Sequence, residues 1–238
     1  MDPRALAVVF ITLTLYMGAR LGYFSKVVSF AKSFSLRPYR TILIAVPLCV
    51  IAVTFIDTVL LQYIQVQEGS FLRKMTSWGQ LLNKNVEAWL GVILIFFTGR
   101  LLSHKGIEQA SFGAFVSMAL AGLTSHLMKF IFLRARPYSG VGPYAFFRME
   151  GITENAHAFQ SLPSGDVTLV GAAACFVFLT IKTWYLRCLL LLLPFAVALE
   201  RVYADKHWPS DTVASVGIGF LVAAIVRDYF ASGSTSRT

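Results

Sequence analysis

Charge is scarce in this chain. Only 14% of its 238 residues are Asp, Glu, Lys or Arg, where a soluble globular domain carries about 25%. That shortage excludes an ordinary water-facing surface. Cysteine is almost absent: Cys49, Cys175 and Cys188 stand apart, with no CxxC or CxxH spacing. A zinc site and a disulfide framework are therefore not expected, and the three read as small packing residues. Low-complexity linkers and internal repeats are missing too, so one folded unit is expected. No A-x-A-like site follows a basic N-terminal region, so a removed signal peptide is not expected.

What the chain has instead is apolar length. Hydrophobic residues make up 56%, with twenty Phe and a mean hydropathy of +0.66. Apolar runs cover 41–64, 87–102, 110–133, 167–181, 186–199 and 212–226. A spanning helix needs about 20 mostly apolar residues, and several runs reach that length only with their polar flanks. The expected fold is an all-α polytopic membrane bundle of six core transmembrane helices. A further run, 5–19, is interrupted soon after by Arg20 and reads as either a spanning or an interfacial helix.

Residues 1–40 are thus expected to form an N-terminal segment, a helix plus a basic cytoplasmic stretch carrying Lys26, Lys32, Arg37 and Arg40. Residues 41–231 form the membrane domain, and 232–238 a disordered tail. The polar segment 65–86 suits a short interfacial helix, and 138–162 an ordered loop.

The net charge of +9 does not point to nucleic acid, because the basic residues lie in short segments between apolar runs. They read as cytoplasmic anchors that also attract anionic head groups. One end of the bundle collects Arg37, Arg40, Arg100, Lys105, Lys182, Arg187 and Arg227, which places that end in the cytoplasm. The opposite end, carrying the polar loops, then faces outward.

Three segments at that outward end carry chemistry. Lys129 and Arg136 stand seven residues apart, two turns of a helix that Pro137 is expected to end. Pro163-Ser164-Gly165-Asp166 opens the fourth core helix. Arg201, His207 and Asp211 lie where the fifth joins the sixth. Lys129, Arg136 and Arg201 are cations at a membrane edge, which is costly without an anion to match. Arg grips phosphate bidentately and Lys adds a point charge. Ser164 and Gly165 supply a helix N-terminus whose free N–H groups favour an anion. A carboxylate at Asp211, bonded to one nitrogen of His207, would leave the other free to attack. Together these parts describe a phosphate cradle beside a nucleophile.

The set Lys129-x6-Arg136-Pro137, Pro163-Ser164-Gly165 and Arg201-x5-His207-x3-Asp211 resembles the three-part signature of the type 2 phosphatidic acid phosphatase superfamily, which also includes vanadium-dependent haloperoxidases. The resemblance spans residues 129–211 and implies a six-helix membrane fold with its site at the outer leaflet. It implies that Lys129, Arg136, Ser164, Gly165 and Arg201 bind phosphate, His207 attacks, and Asp211 orients it. The partner implied is a phosphorylated membrane lipid. No metal or cofactor is expected.

Two positions depart from the family pattern. Glu200 replaces a Ser, and Asp166 replaces the His that normally protonates the leaving oxygen. Some branches acting on lipid A phosphates resemble this chain in carrying an acidic residue there. Three answers stay open: Asp166 is protonated through burial, His157 donates the proton, or the leaving group needs little protonation, as with a diphosphate or anomeric phosphate. The last is favoured, and with it lipid A or polyprenyl diphosphate over phosphatidic acid or phosphatidylglycerol phosphate, in a bacterial inner membrane with the site facing the periplasm. The alternatives are a phosphotransferase using the same intermediate and a non-catalytic lipid-phosphate-binding or transport protein. Arg134 reads either as a further phosphate contact or as a snorkelling anchor. Asp57 reads as an interfacial cap. Trp78, Trp89, Trp184, Tyr185 and Trp208 read as interface belts.

Overall fold

The computed structural model describes residues 12–13, 15–22, 35–66, 85–149 and 156–232. Each of the six apolar runs is helical, and no strand occurs among the described residues. The helices are α1 (Arg40–Thr54), α2 (Asp57–Val66), α3 (Asn85–Leu101), α4 (Lys105–Phe132), α5 (Gly165–Thr180), α6 (Trp184–Tyr203) and α7 (Pro209–Ser232).

The run expected as one first helix is broken. α1 and α2 meet at 68° across Phe55 and Ile56. The break turns Asp57, the first residue of α2, into the bundle, where it is 0% exposed. A lone carboxylate on a straight lipid-facing helix would lack partners. By length and composition, α4 and α7 are each sufficient to cross a membrane among the described residues, and the bent pair counts as a third. The helical stretches 88–101 and 165–180 are apolar but shorter. Large apolar side chains such as Leu48, Leu94, Leu123, Leu189 and Phe195 cover the outside of the bundle, as a lipid-facing surface requires.

The buried centre is α5. Its Val167, Thr168, Gly171, Ala172, Cys175 and Phe176 are among its buried residues, set against α4, α6 and α7. Small residues let α5 and α7 approach closely. A Cβ on Gly219 would lie 2.8 Å from the backbone nitrogen of Ala172. On the other side of α4, Met17 from the N-terminal helical segment packs with Phe96, Phe112 and Phe115. The rest of the N-terminal expectation, most of the expected interfacial helix, Trp78 and the tail after Ser232 lie outside the described residues.

Candidate active site

α4 does not continue to Pro137. It ends at Phe132, and Leu133 adopts a left-handed conformation with φ of 40°. The freed backbone then runs extended and pairs with two loops. Ala135 donates to the Ala145 carbonyl and Arg136 to that of Ala158, both at 2.8 Å, while Ser161 donates to Arg134 at 3.0 Å. Lys129 and Arg136 therefore share a face for a different reason from helical spacing. Both side chains reach the Gln160 carbonyl, Lys129 Nζ at 3.1 Å and Arg136 Nη2 at 3.5 Å. Arg136 Nε is buried without a hydrogen-bond partner.

The second segment begins at Ser164, the N-cap of α5. Its N–H donates to Ser215 Oγ at 2.8 Å, and Ser215 Oγ in turn donates to the Asp211 carbonyl. Ser164 Oγ is buried and makes no hydrogen bond, although an N-cap hydroxyl commonly accepts from its own helix. A Cβ on Gly165 would meet only Ser125 Oγ, at 3.9 Å. Gly165 is thus not required by protein packing, and its bare backbone leaves room for a ligand. Ser125, one turn before Lys129 on α4, is also buried with an unpartnered hydroxyl.

In the third segment His207 is 2% exposed. Its Nδ1 lies 2.8 Å from the Ser161 carbonyl and 3.7 Å from Asp211 Oδ2. A carbonyl only accepts, so Nδ1 carries the proton and Nε2 keeps its lone pair. The direct carboxylate bond expected from the sequence is replaced by a backbone carbonyl, with Asp211 behind it. Asp211 Oδ2 is held by Ser161 Oγ and the Trp208 N–H, the latter at 2.9 Å. Burial lowers the His207 pKa to about 4; Asp211 opposes that fall, and the charges of Lys129 and Arg136 deepen it. His207 is accordingly a neutral imidazole at pH 7.

Arg201 completes the ring of cations, paired with Asp166 at 3.1 Å and with Glu200. That ion pair turns the Asp166 carboxyl toward the Arg201 guanidinium. His157 is exposed in the turn 156–159. Asp205 is tied to α2 by Gln65 Nε2 at 3.1 Å, and Lys206 is exposed.

Arg134 fits neither sequence reading. It is 0% exposed, so it does not snorkel. Its five N–H donors are all taken, by the Pro143 carbonyl twice, Ser210 Oγ, Asp211 Oδ1 and Asp57 Oδ2. None is left for phosphate. Asp57 is no interfacial cap but a buried partner of Arg134 and Ser210. Trp208 is not a belt residue either: it is 4% exposed and donates its indole N–H to the Ala135 carbonyl at 2.8 Å. Sequence reading missed Ser125, Ser161, Ser210 and Ser215. Only Ser125 and Ser215 carried a signal, each one turn from a motif residue, Lys129 and Asp211.

Beside this cluster lies an apolar groove of about 590 Å³ between α1, α4 and α7. Val46, Val50, Met128, Phe132, Leu162 and Ala214 line part of it. Met128 and Leu162 adjoin the motif residues Lys129 and Pro163 in the chain. Among the described residues, no three of His, Cys, Asp and Glu gather in a metal-binding arrangement.

The fold and cluster together define an apolar helical bundle in which Lys129, Arg136 and Arg201 gather near a buried histidine. The chain belongs to the PAP2 superfamily, whose family model matches residues 110–232. It is similar to the lipid A 1-phosphatase of Rhizobium johnstonii, 31% identical over 162 residues, covering 60% of this chain and 63% of that protein. The lipid A 1-phosphatase of Rhizobium etli is 32% identical over 58% of this chain and 65% of its own length. The undecaprenyl-diphosphatase of Sulfolobus acidocaldarius is 25% identical over 59% of this chain and 70% of its own. The matched region thus spans just under two thirds of the two Rhizobium proteins. The fold is similar to a crystal structure of Aquifex aeolicus LpxE, with a TM-score of 0.55, 18% identity, and coverage of 71% of this chain and 93% of that one. The apolar helices and these relatives make the chain an integral membrane protein.

Proposed function

We propose that the protein is a membrane lipid phosphatase that removes phosphate through a phospho-His207 intermediate. The observation that carries the reading is the pose of His207. Its Nδ1 is anchored to the Ser161 carbonyl, and its charge is suppressed beside Lys129 and Arg136. A buried neutral imidazole near two cations is a nucleophile facing an anion site.

The substrate phosphate is held by Lys129, Arg136, Arg201, the Ser164 hydroxyl and the N-terminus of α5. His207 Nε2 attacks phosphorus, a P–N bond forms, and the bond from phosphorus to the lipid oxygen breaks. The cations stabilise charge on the equatorial oxygens. The ring becomes cationic, and Asp211 behind Nδ1 favours that charge. Water then attacks phosphorus, the P–N bond breaks, and inorganic phosphate leaves with the water's proton.

Asp166 is engaged with Arg201, so the leaving oxygen is one that departs with little protonation. A diphosphate or an anomeric sugar phosphate meets that condition, which favours polyprenyl diphosphate or lipid A. The apolar groove beside the cluster suits the chains of such a lipid. The basic residues at the other end of the bundle, among them Arg40, Arg100 and Lys105 at the ends of α1, α3 and α4, support a cytoplasmic placement there. The site then faces the periplasm of a bacterial inner membrane.

The test is phosphate release by purified protein from labelled lipid A, undecaprenyl diphosphate and phosphatidic acid. Free labelled phosphate is expected from the first two, and a labelled second lipid would instead mean transfer. His207→Ala is expected to lower release by at least about 10³-fold. Unchanged release in that variant would refute the mechanism.

A further inference from the structure

Asp57 lies outside all three motif segments, yet it is joined to the nucleophile's support by buried polar contacts alone. Arg134 Nη2 donates to Asp57 Oδ2 at 2.7 Å, while Nη1 donates to Asp211 Oδ1 at 2.5 Å. Ser210 bridges the same pair. Its N–H donates to Asp57 Oδ1 at 2.8 Å and its hydroxyl to Asp57 Oδ2, while that hydroxyl accepts from Arg134 Nη1 at 2.7 Å. Asp57, Arg134, Ser210 and Asp211 are each 0% exposed.

We infer that Asp57 is a positioning residue for His207, acting through Arg134 and Ser210 on Asp211.

Stability alone is a weak reason for such a cluster, because well-packed apolar groups of similar volume serve as well or better. Orientation and charge are better reasons. Asp211 Oδ1 is fixed by Arg134 and Oδ2 by Ser161 and Trp208, so the carboxylate cannot rotate away from the imidazole. Ser210 N–H is one of the donors that a helix leaves unsatisfied in its first turn, and Asp57 satisfies it from another helix. That contact sets where α7 begins and hence where Asp211 points. Charge follows the same route. Arg134 shares its single positive charge between two carboxylates, so Asp211 keeps net negative charge toward His207. Without the charge of Asp57, Arg134 would neutralise Asp211 alone. The ring needs that negative charge only once Nε2 has bonded to phosphorus, so the effect falls on kcat rather than on KM.

This inference rests on His207 being the nucleophile, and the experiment separates the two. Asp57→Asn, Asp211→Asn and the double variant are purified and compared by phosphate release and by the Nδ1–H resonance of ¹⁵N-His207. Asp57→Asn is expected to lower kcat about ten- to a hundredfold, with KM changed less than about twofold. In the Asp211→Asn background it should add almost nothing, because the path is already cut. The His207 Nδ1–H resonance should move in Asp57→Asn whether or not the protein turns over lipid. A silent wild type with a moving resonance would sink the phosphatase reading and leave the positioning role standing. Unchanged kcat, effects that multiply in the double variant, or a fixed resonance would overturn the inference. Should Asp57→Asn not accumulate folded, Ser210→Ala decides: it removes one bridge while keeping every charge. It should lower kcat in the same sense, and wild-type kcat in it would overturn the role.

Discussion

Gly219→Ala adds one methyl group, and the structure says what it must meet. The new Cβ would stand 2.8 Å from the Ala172 nitrogen, 3.0 Å from the Gly171 carbonyl carbon and 3.2 Å from the Thr168 oxygen. All three are backbone atoms of α5, so no rotamer can relieve the clash. Ordinary contact begins at about 3.5 Å, so α5 and α7 must part by roughly 0.5–0.7 Å along that line. Overpacking of this kind costs about 1–3 kcal/mol. The damage also reaches the cradle. Ser215 lies one turn before Gly219 on α7, and its hydroxyl holds the Ser164 N–H at 2.8 Å. A similar parting stretches that bond to the edge of hydrogen-bonding distance and shifts the N-terminus of α5 against His207. Misplacement on that scale costs kcat/KM about ten- to a hundredfold. The assay pairs denaturant unfolding in detergent with phosphate release. Gly91→Ala in α3 is the control, since its Cβ would meet nothing within 4 Å; it should leave activity unchanged and stability equal or raised by up to about 1 kcal/mol. If Gly219→Ala matched the wild type in both stability and kcat/KM, the close α5–α7 approach would not be what holds the cradle.

Two further outcomes are expected. In the free protein, a ¹⁵N titration of His207 should give a midpoint near 4 rather than in the usual imidazole range. As pH falls below about 6.5 the unfolded chain takes up that proton first, so His207 withdraws roughly 3 kcal/mol of folding stability by pH 4; a midpoint near 6.5 would contradict the buried neutral pose. Asp166→His should speed poor leaving groups such as phosphatidic acid by about tenfold or more and leave diphosphates unchanged. Uniform loss would instead assign Asp166 a required hold on Arg201.

The helices were legible because helices that face lipid or pack in the centre of such a bundle are mostly apolar, and six such runs are plain in the chain. The gathering of the motif side chains was legible because cations, a helix-opening Ser-Gly and a histidine have few other reasons to stand beside the ends of apolar runs. What the sequence did not disclose rests on the backbone or on distant pairing. Leucine has no preference for a positive φ, so nothing in Leu133 marks the early end of α4. A carbonyl partner for His207 leaves no trace in residue type, because every residue has one. Asp57 in an apolar run looks the same whether it caps a helix at the interface or neutralises a buried arginine. Arg134, two residues before Arg136, looks like one more cation for phosphate until its five donors are counted.

The pairing of Asp57 with Arg134 also bears on where the folding unit begins. The superfamily match covers residues 110–232, a stretch that holds every motif side chain but not Asp57. A fragment trimmed to that boundary would take from the buried Arg134 guanidinium one of its two carboxylates and from the Ser210 N–H its acceptor, and breaking a buried pair in this way is strongly destabilising. The smallest autonomous piece of this protein must therefore reach back to Asp57, at the very start of α2, well upstream of the family's own border.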